Sequence, residues 1–189
     1  IVVNGNLQPG TYTIVTWSGT LTGSVDNLNV VGIVGLPVRL VVNGNNLQLV
    51  VEATRSASNV TWTGATDTNW DYLTPNFNTL TVPHQSTFFV LNDSVVFDDT
   101  AVSTDVLLNE PMIASGVKFS NNSKAYTFTG AGGIAGDGVL EKTGKGLLDL
   151  GIINSTFTGK TIMTNALVRL GAVNQTMVPG PLGQASAAP

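Results

Sequence analysis

The chain has 189 residues, 42% hydrophobic and only 11% charged, with 21 glycines, 8 prolines and no cysteine. A net charge of −4 with eight scattered Lys and Arg offers no basic patch for phosphate neutralisation, which argues against nucleic acid as a partner. Zero Cys excludes a disulfide scaffold, a zinc finger and a thiol nucleophile, and no apolar run reaches the roughly 18 residues of a membrane-spanning helix. Thr and Asn together make up roughly a fifth of the residues. Thr favours strands through its branched β-carbon and Asn tolerates corners, a mixture suited to an exported β-rich protein.

The chain opens on Ile1-Val-Val3, inside a strand and without an initiator Met or signal-like segment, so a processed or excised piece of something longer is expected. Residues 1–55 read as an N-terminal β region. Thr11-Tyr-Thr-Ile-Val-Thr-Trp17 alternates as a half-buried strand, with Tyr12 and Ile14 inward. Val38–Val42 and Leu47–Val51 flank Asn43-Gly-Asn-Asn46, a hairpin signal, with Arg39 and Gln48 to solvent. The polar stretch 52–60 reads as a boundary.

Residues 60–129 form a second β region holding most aromatics and acids. Trp62, Trp70 and Tyr72 lie among Thr, Asn and Asp, a setting in which sugar rings stack on aromatic faces; closure of a β core by the same three residues is the stronger reading. Phe88–Leu91 and Val95–Phe97 read as strands on either side of a turn at Asn92-Asp-Ser94. Asp93, Asp98, Asp99 and Asp105 are compatible with a calcium ion in an irregular oxygen cage, the only cofactor considered, although solvated turn carboxylates account for them better. Asp67-Thr-Asn-Trp-Asp71 begins like a calcium loop but lacks its glycine and its closing glutamate, so it is no EF-hand.

Residues 130–189 carry the most regular pattern. Short apolar segments at Val139-Leu140, Leu148–Leu150, Thr161–Met163 and Leu167–Leu170 recur between glycines with no helix-length segment between them, the rhythm of a stacked β-solenoid. The glycines of Gly130-Ala-Gly-Gly133 fit solenoid corners, since no Lys-Ser/Thr or helix follows to make a phosphate loop. The segment after Pro179 reads as a loop, and read from end to start the chain runs loop, strand, turn without a break, as one unit of a tandem array would.

Catalytic groups are thin. His84 is the single histidine, no Gly-x-Ser-x-Gly elbow is present, and spacing in sequence cannot report the separation that a carboxylate pair needs. The reading is that the chain is not an enzyme.

Gly136, Leu140, Lys142, Gly144, Gly146, Leu148, Leu150, Asn154, Phe157, Gly159, Thr161, Ile162 and Leu167 together resemble the autotransporter-associated β-strand repeat of large secreted or surface bacterial β-helix proteins. The resemblance covers residues 130–171, and Trp62-Thr-Gly64, Asn69-Trp-Asp71, Pro75-Asn-Phe77 and Val95–Asp99 look like the segment that often precedes the repeat. Leu147, Lys160 and Ala166 depart from the family pattern at positions where it has Thr, Gly and Gly. The resemblance implies an extracellular, outer-membrane-exported location and a structural role.

The expectation is an all-β chain: an antiparallel hairpin-containing N-terminal region, with residues 60–129 and 130–189 joining into a β-solenoid, or β-helix, that ends in the repeat near 136–171. It would serve as an extracellular structural module of a large bacterial surface protein, stacking end to end on neighbouring repeats or copies of itself. Ile1, Val2, Val3, Pro179 and Leu182 are the expected contacts. The alternative is an adhesive or carbohydrate-binding module that meets surface glycans through Trp62, Trp70 and Tyr72.

Overall fold

The computed structural model describes residues 9–28, 30, 37–52, 55–175 and 177–184. The chain divides into two compact units, Ile1–Ser56 and Ala57–Pro189. In the first, β1 (Gly10–Thr16), β2 (Val38–Asn43) and β3 (Asn46–Val51) form an antiparallel sheet in the order β1-β3-β2. The expected hairpin is β2–β3, with its reversal one residue later than the Asn-Gly step. Pairing continues to Asn43↔Asn46, and Gly44 takes φ +57°, placing glycine first in a two-residue loop.

Alternation puts Val38, Leu40 and Val42 on one face of this sheet with Leu47, Leu49 and Val51. Across β3, Tyr12 and Val15 join that face. A bulge between Thr13 and Val15 displaces Ile14, which simple alternation would have placed beside Tyr12. On the opposite face Arg39 is exposed and pairs with Glu52 at 2.8 Å, while Gln48 is half-buried.

The second unit is a β-solenoid. It opens with β4 (Asn59–Trp62), β5 (Phe77–Thr79) and β6 (Ser86–Thr87). The next coil has β7 (Ser94–Phe97), β8 (Asp105–Leu107) and β9 (Pro111–Ile113), and the following one β10 (Gly116–Phe119), β11 (Tyr126–Thr129) and β12 (Gly133–Ala135). Then come β13 (Val139–Thr143) and β14 (Leu147–Leu150), and last β15 (Thr161–Thr164) and β16 (Leu167–Leu170).

Three faces result. One is the sheet β15-β13-β10-β7-β4-β5-β6, parallel from β15 to β4; the second is the parallel sheet β16-β14-β11-β8; the third pairs β12 with β9. Gly116 pairs with Ser94 on the coil before and with Val139 on the coil after, and Gly133 pairs with Pro111. The near-constant interval between these partners is one turn of the coil. The third face continues without regular strands: Thr158 N–H bonds to Gly136 O at 2.9 Å, and Gln184 N–H to Phe157 O at 2.9 Å. Residues 60–129 and 130–189 join into one solenoid, as expected, because strands on both sides of residue 130 share the same sheets.

In-register stacking turns each inward position into a column. Trp62, Phe97, Phe119 and Lys142 lie above one another, as do Val60, Val95, Val117 and Leu140; on the second face Phe128 stacks on Val106 and under Leu150. All are buried, including Lys142, whose Nζ donates to the carbonyls of Thr143 at 2.7 Å and Gly144 at 2.9 Å. Burial pushes that ammonium's pKa down, against an opposing pull from Asp99.

Phe97 sits at the centre of the aromatic core, with ring centroids of Phe119 at 5.0 Å, Phe128 at 5.1 Å, Trp70 at 5.3 Å and Tyr126 at 5.4 Å. The corners demand glycine where coils touch. A Cβ on Gly138 would lie 2.1 Å from Ser115 O, and one on Gly159 would lie 1.9 Å from Gly138 O.

Candidate functional site at the last coil

The two ends of the solenoid differ. At the first, every face is closed by the chain itself. The edge of β4 is taken by antiparallel β5, itself paired with β6. The edge of β8 is met by residues 68–70, through Trp70 N–H to Leu107 O at 3.0 Å and Leu107 N–H to Thr68 O at 2.8 Å. On the third face Asn92 N–H bonds to Ile113 O at 2.9 Å.

Trp62, Trp70, Tyr72, Phe77 and Phe89 fill the space beneath this cap, in edge and tilted contacts at 5.2–6.2 Å. The three aromatics of the glycan alternative are core residues, as the stronger reading of them had it: Trp62 and Trp70 are 0% exposed and Tyr72 3%. Trp62 Nε1 donates to Ser103 O at 2.8 Å, and the Tyr72 hydroxyl, its pKa pushed up to about 12 by burial, lies between Pro111 O and Ile113 N–H. No ring face is left for a sugar, because the cap has to close the column of apolar side chains below it.

The last coil has no such cover among the described residues. Met163 continues the column of Trp62, Phe97, Phe119 and Lys142 yet is 43% exposed; Leu170 continues that of Phe128 and Leu150 yet is 37% exposed. Ile162 and Leu167, on the outward side, are 45% and 57% exposed. From Thr161 to Gln184 the only charged residue is Arg169, which is ion-paired to Asp149 on the coil below. The guanidinium holds the Asp149 carboxyl below its usual range, its hydrogen bond being the larger cause. Among the described residues two β edges, those of β15 and β16, therefore lack a neighbouring strand beside a largely apolar end.

Of the expected assembly contacts, Ile1, Val2 and Val3 lie outside the described residues. Pro179 is exposed. Leu182 packs half-buried on the solenoid core, its N–H held by Asn174 Oδ1 at 2.7 Å. The repeat residues are structural throughout. Leu140, Leu148 and Leu150 point inward, Gly136 and Gly144 turn corners at φ +111° and +81°, Gly146 and Gly159 sit where coils meet, and Thr161 and Leu167 lie in the exposed β15 and β16.

The acids have local duties. Asp93, expected in solvent, is buried and accepts from Ser58 N–H at 2.8 Å and Val90 N–H at 2.7 Å. Asp98 accepts from Thr100 N–H, and Asp105 is exposed in β8. Asp99 accepts from the N–H groups of Lys124, Asn122 and Ser123 on the next coil, which hold its pKa down at about 2. Asp67 and Asp71 cap turns through Asn69, Asn76, Leu73 and Thr74.

Among the described residues no three His, Cys, Asp or Glu side chains gather as a metal site requires. Exposed His84 has its Nδ1 2.7 Å from Thr79 O. No described helix is long and apolar enough to cross a membrane.

The coiled sheets, the in-register columns and the corner glycines define the second unit as a β-solenoid. Neither family models, curated proteins nor solved structures provide a match to the chain.

Proposed function

We propose that the chain is a non-catalytic, extracellular structural module that stacks end to end, its last coil serving as the docking edge. The observation that carries this reading is the exposure of Met163 and Leu170 in columns that are buried in every earlier coil. A closed first end and an open last one give a strand edge that the next β layer satisfies by backbone pairing, with apolar side chains covered at the same step. The resemblance of residues 130–171 to the autotransporter-associated repeat supports a surface location and a bacterial source. Burial of Trp62, Trp70 and Tyr72 takes away the residues on which the glycan-binding alternative rested.

Because the first end is closed by β5 and β6, direct stacking of one solenoid's head on another's tail is not the route, and the open coil must meet a different surface. Negative-stain electron microscopy of the purified full chain, compared across concentration, tests the reading. Particles longer than one chain, accumulating with concentration, are expected; single-chain particles at every concentration would contradict it.

A further inference from the structure

Resting on that reading, we propose that the partner of the open coil is the same coil of a second copy, the two ends meeting across a two-fold axis. A copy of this chain offers, among its described residues, one open solenoid end, with the edges of β15 and β16, since β4, β8 and β9 are all covered at the other end. A surface that meets itself must also tolerate its own charge. The last coil does so: Arg169, the only charged residue in β15 and β16, is neutralised by Asp149, and Lys160 stands at the exposed corner before β15.

The β15 edge also lacks the guards that usually prevent self-pairing, reading Thr-Ile-Met-Thr without charge or proline, while in β16 the charge of Arg169 is tied to Asp149 on the coil below. Two-fold symmetry sets β15 against its copy in antiparallel order, a pairing at least as good as the parallel one used inside the solenoid. Met163, Leu170 and half-buried Val168 then cover their counterparts. Such a contact closes on itself, so longer assemblies need a second contact elsewhere on the chain.

The test combines sedimentation with spin-label distances, and the absence of native cysteine makes labelling clean. Lys160→Cys places a label at an exposed corner just before β15, outside the paired edge. The expected result is a monomer–dimer equilibrium that stops at two copies, one short label-to-label distance, and association weakened roughly tenfold or more by Met163→Lys, which sets like charges against each other. Met163 is half-exposed, so this variant should keep the parent's circular dichroism and melting point; if it does not, Ile162→Lys on the outward side of the same edge replaces it. Monomers up to about millimolar concentration would overturn both this inference and the stacking function. Association that grows past two copies, or that gives no short label distance, would overturn the two-fold contact alone.

Discussion

Phe97 and Asp99, close together in the chain, show how one strand and its turn serve two kinds of bond between coils. Phe97 faces inward, and its ring touches Trp62 on the coil before and Phe119 and Tyr126 on the coil after; Phe97→Ala should cost about 3–5 kcal/mol in chemical unfolding, the range for a large aromatic lost from a close-packed core. A cost under about 1 kcal/mol would mean that the columns are loosely packed. Asp99 instead accepts three backbone N–H groups from the coil above. Its folded pKa of about 2 lies below the ordinary carboxylate value, so its contribution is complete above about pH 4 and fades as pH falls toward 2. Asp99→Asn should therefore melt below the parent at pH 7, and the gap should narrow between pH 4 and 2. An unchanged gap across that window would show that the N–H cluster does not hold the carboxylate. Buried Asp93 and Lys142 were not legible in sequence, since the backbone donors and acceptors that compensate them come from turns whose shape only the fold supplies.

At the scale of the element, the corner glycines and the joining of residues 60–129 to the repeat were legible, while the individual strands of the earlier coils were only partly so. Gly136, Gly144 and Gly159 marked corners because their spacing matched the strands between them. The physical demand proves to be closest at Gly159, where any Cβ meets the Gly138 carbonyl. Gly159→Ala should lower stability by about 1–3 kcal/mol, with the shift in chemical environment centred on residues 137–138 and 159–160 by NMR; a silent substitution would contradict that contact. The solenoid begins with β4, at the start of the 60–129 region that was expected to join it.

The signal was present in inward pairs at alternate positions, Val60/Trp62, Val95/Phe97, Val117/Phe119 and Leu140/Lys142, the last three recurring at a near-constant interval along the chain. Lys142 disguised the last pair, and the insertion that builds β5 and β6 stretched the first interval. Phe88–Leu91 read as a strand because it is apolar, yet the segment is the irregular approach to the turn at Asn92 and places Phe89 under the cap. Closure of a β core was the stronger reading of Trp62, Trp70 and Tyr72, and their burial agrees with it; sequence spacing did not show which end of a column they close.

For the whole molecule, the decisive feature is asymmetry between the two ends of the solenoid. One end uses five aromatic residues and two antiparallel strands for closure, and the other leaves Ile162, Met163, Leu167 and Leu170 in contact with water. Composition could suggest a solenoid, but which end is capped depends on β5 reversing direction beside β4, a pairing between residues 59–62 and 77–79 that no local pattern announces. The most direct measurement of the central claim is amide hydrogen exchange on the full chain at low and high concentration. If the last coil is a docking edge, protection at Thr161–Thr164 and Leu167–Leu170 rises with concentration while the inner strands β7, β10 and β13 stay equally protected throughout. Exchange in β15 and β16 that is independent of concentration, while the chain nevertheless associates, would contradict the account.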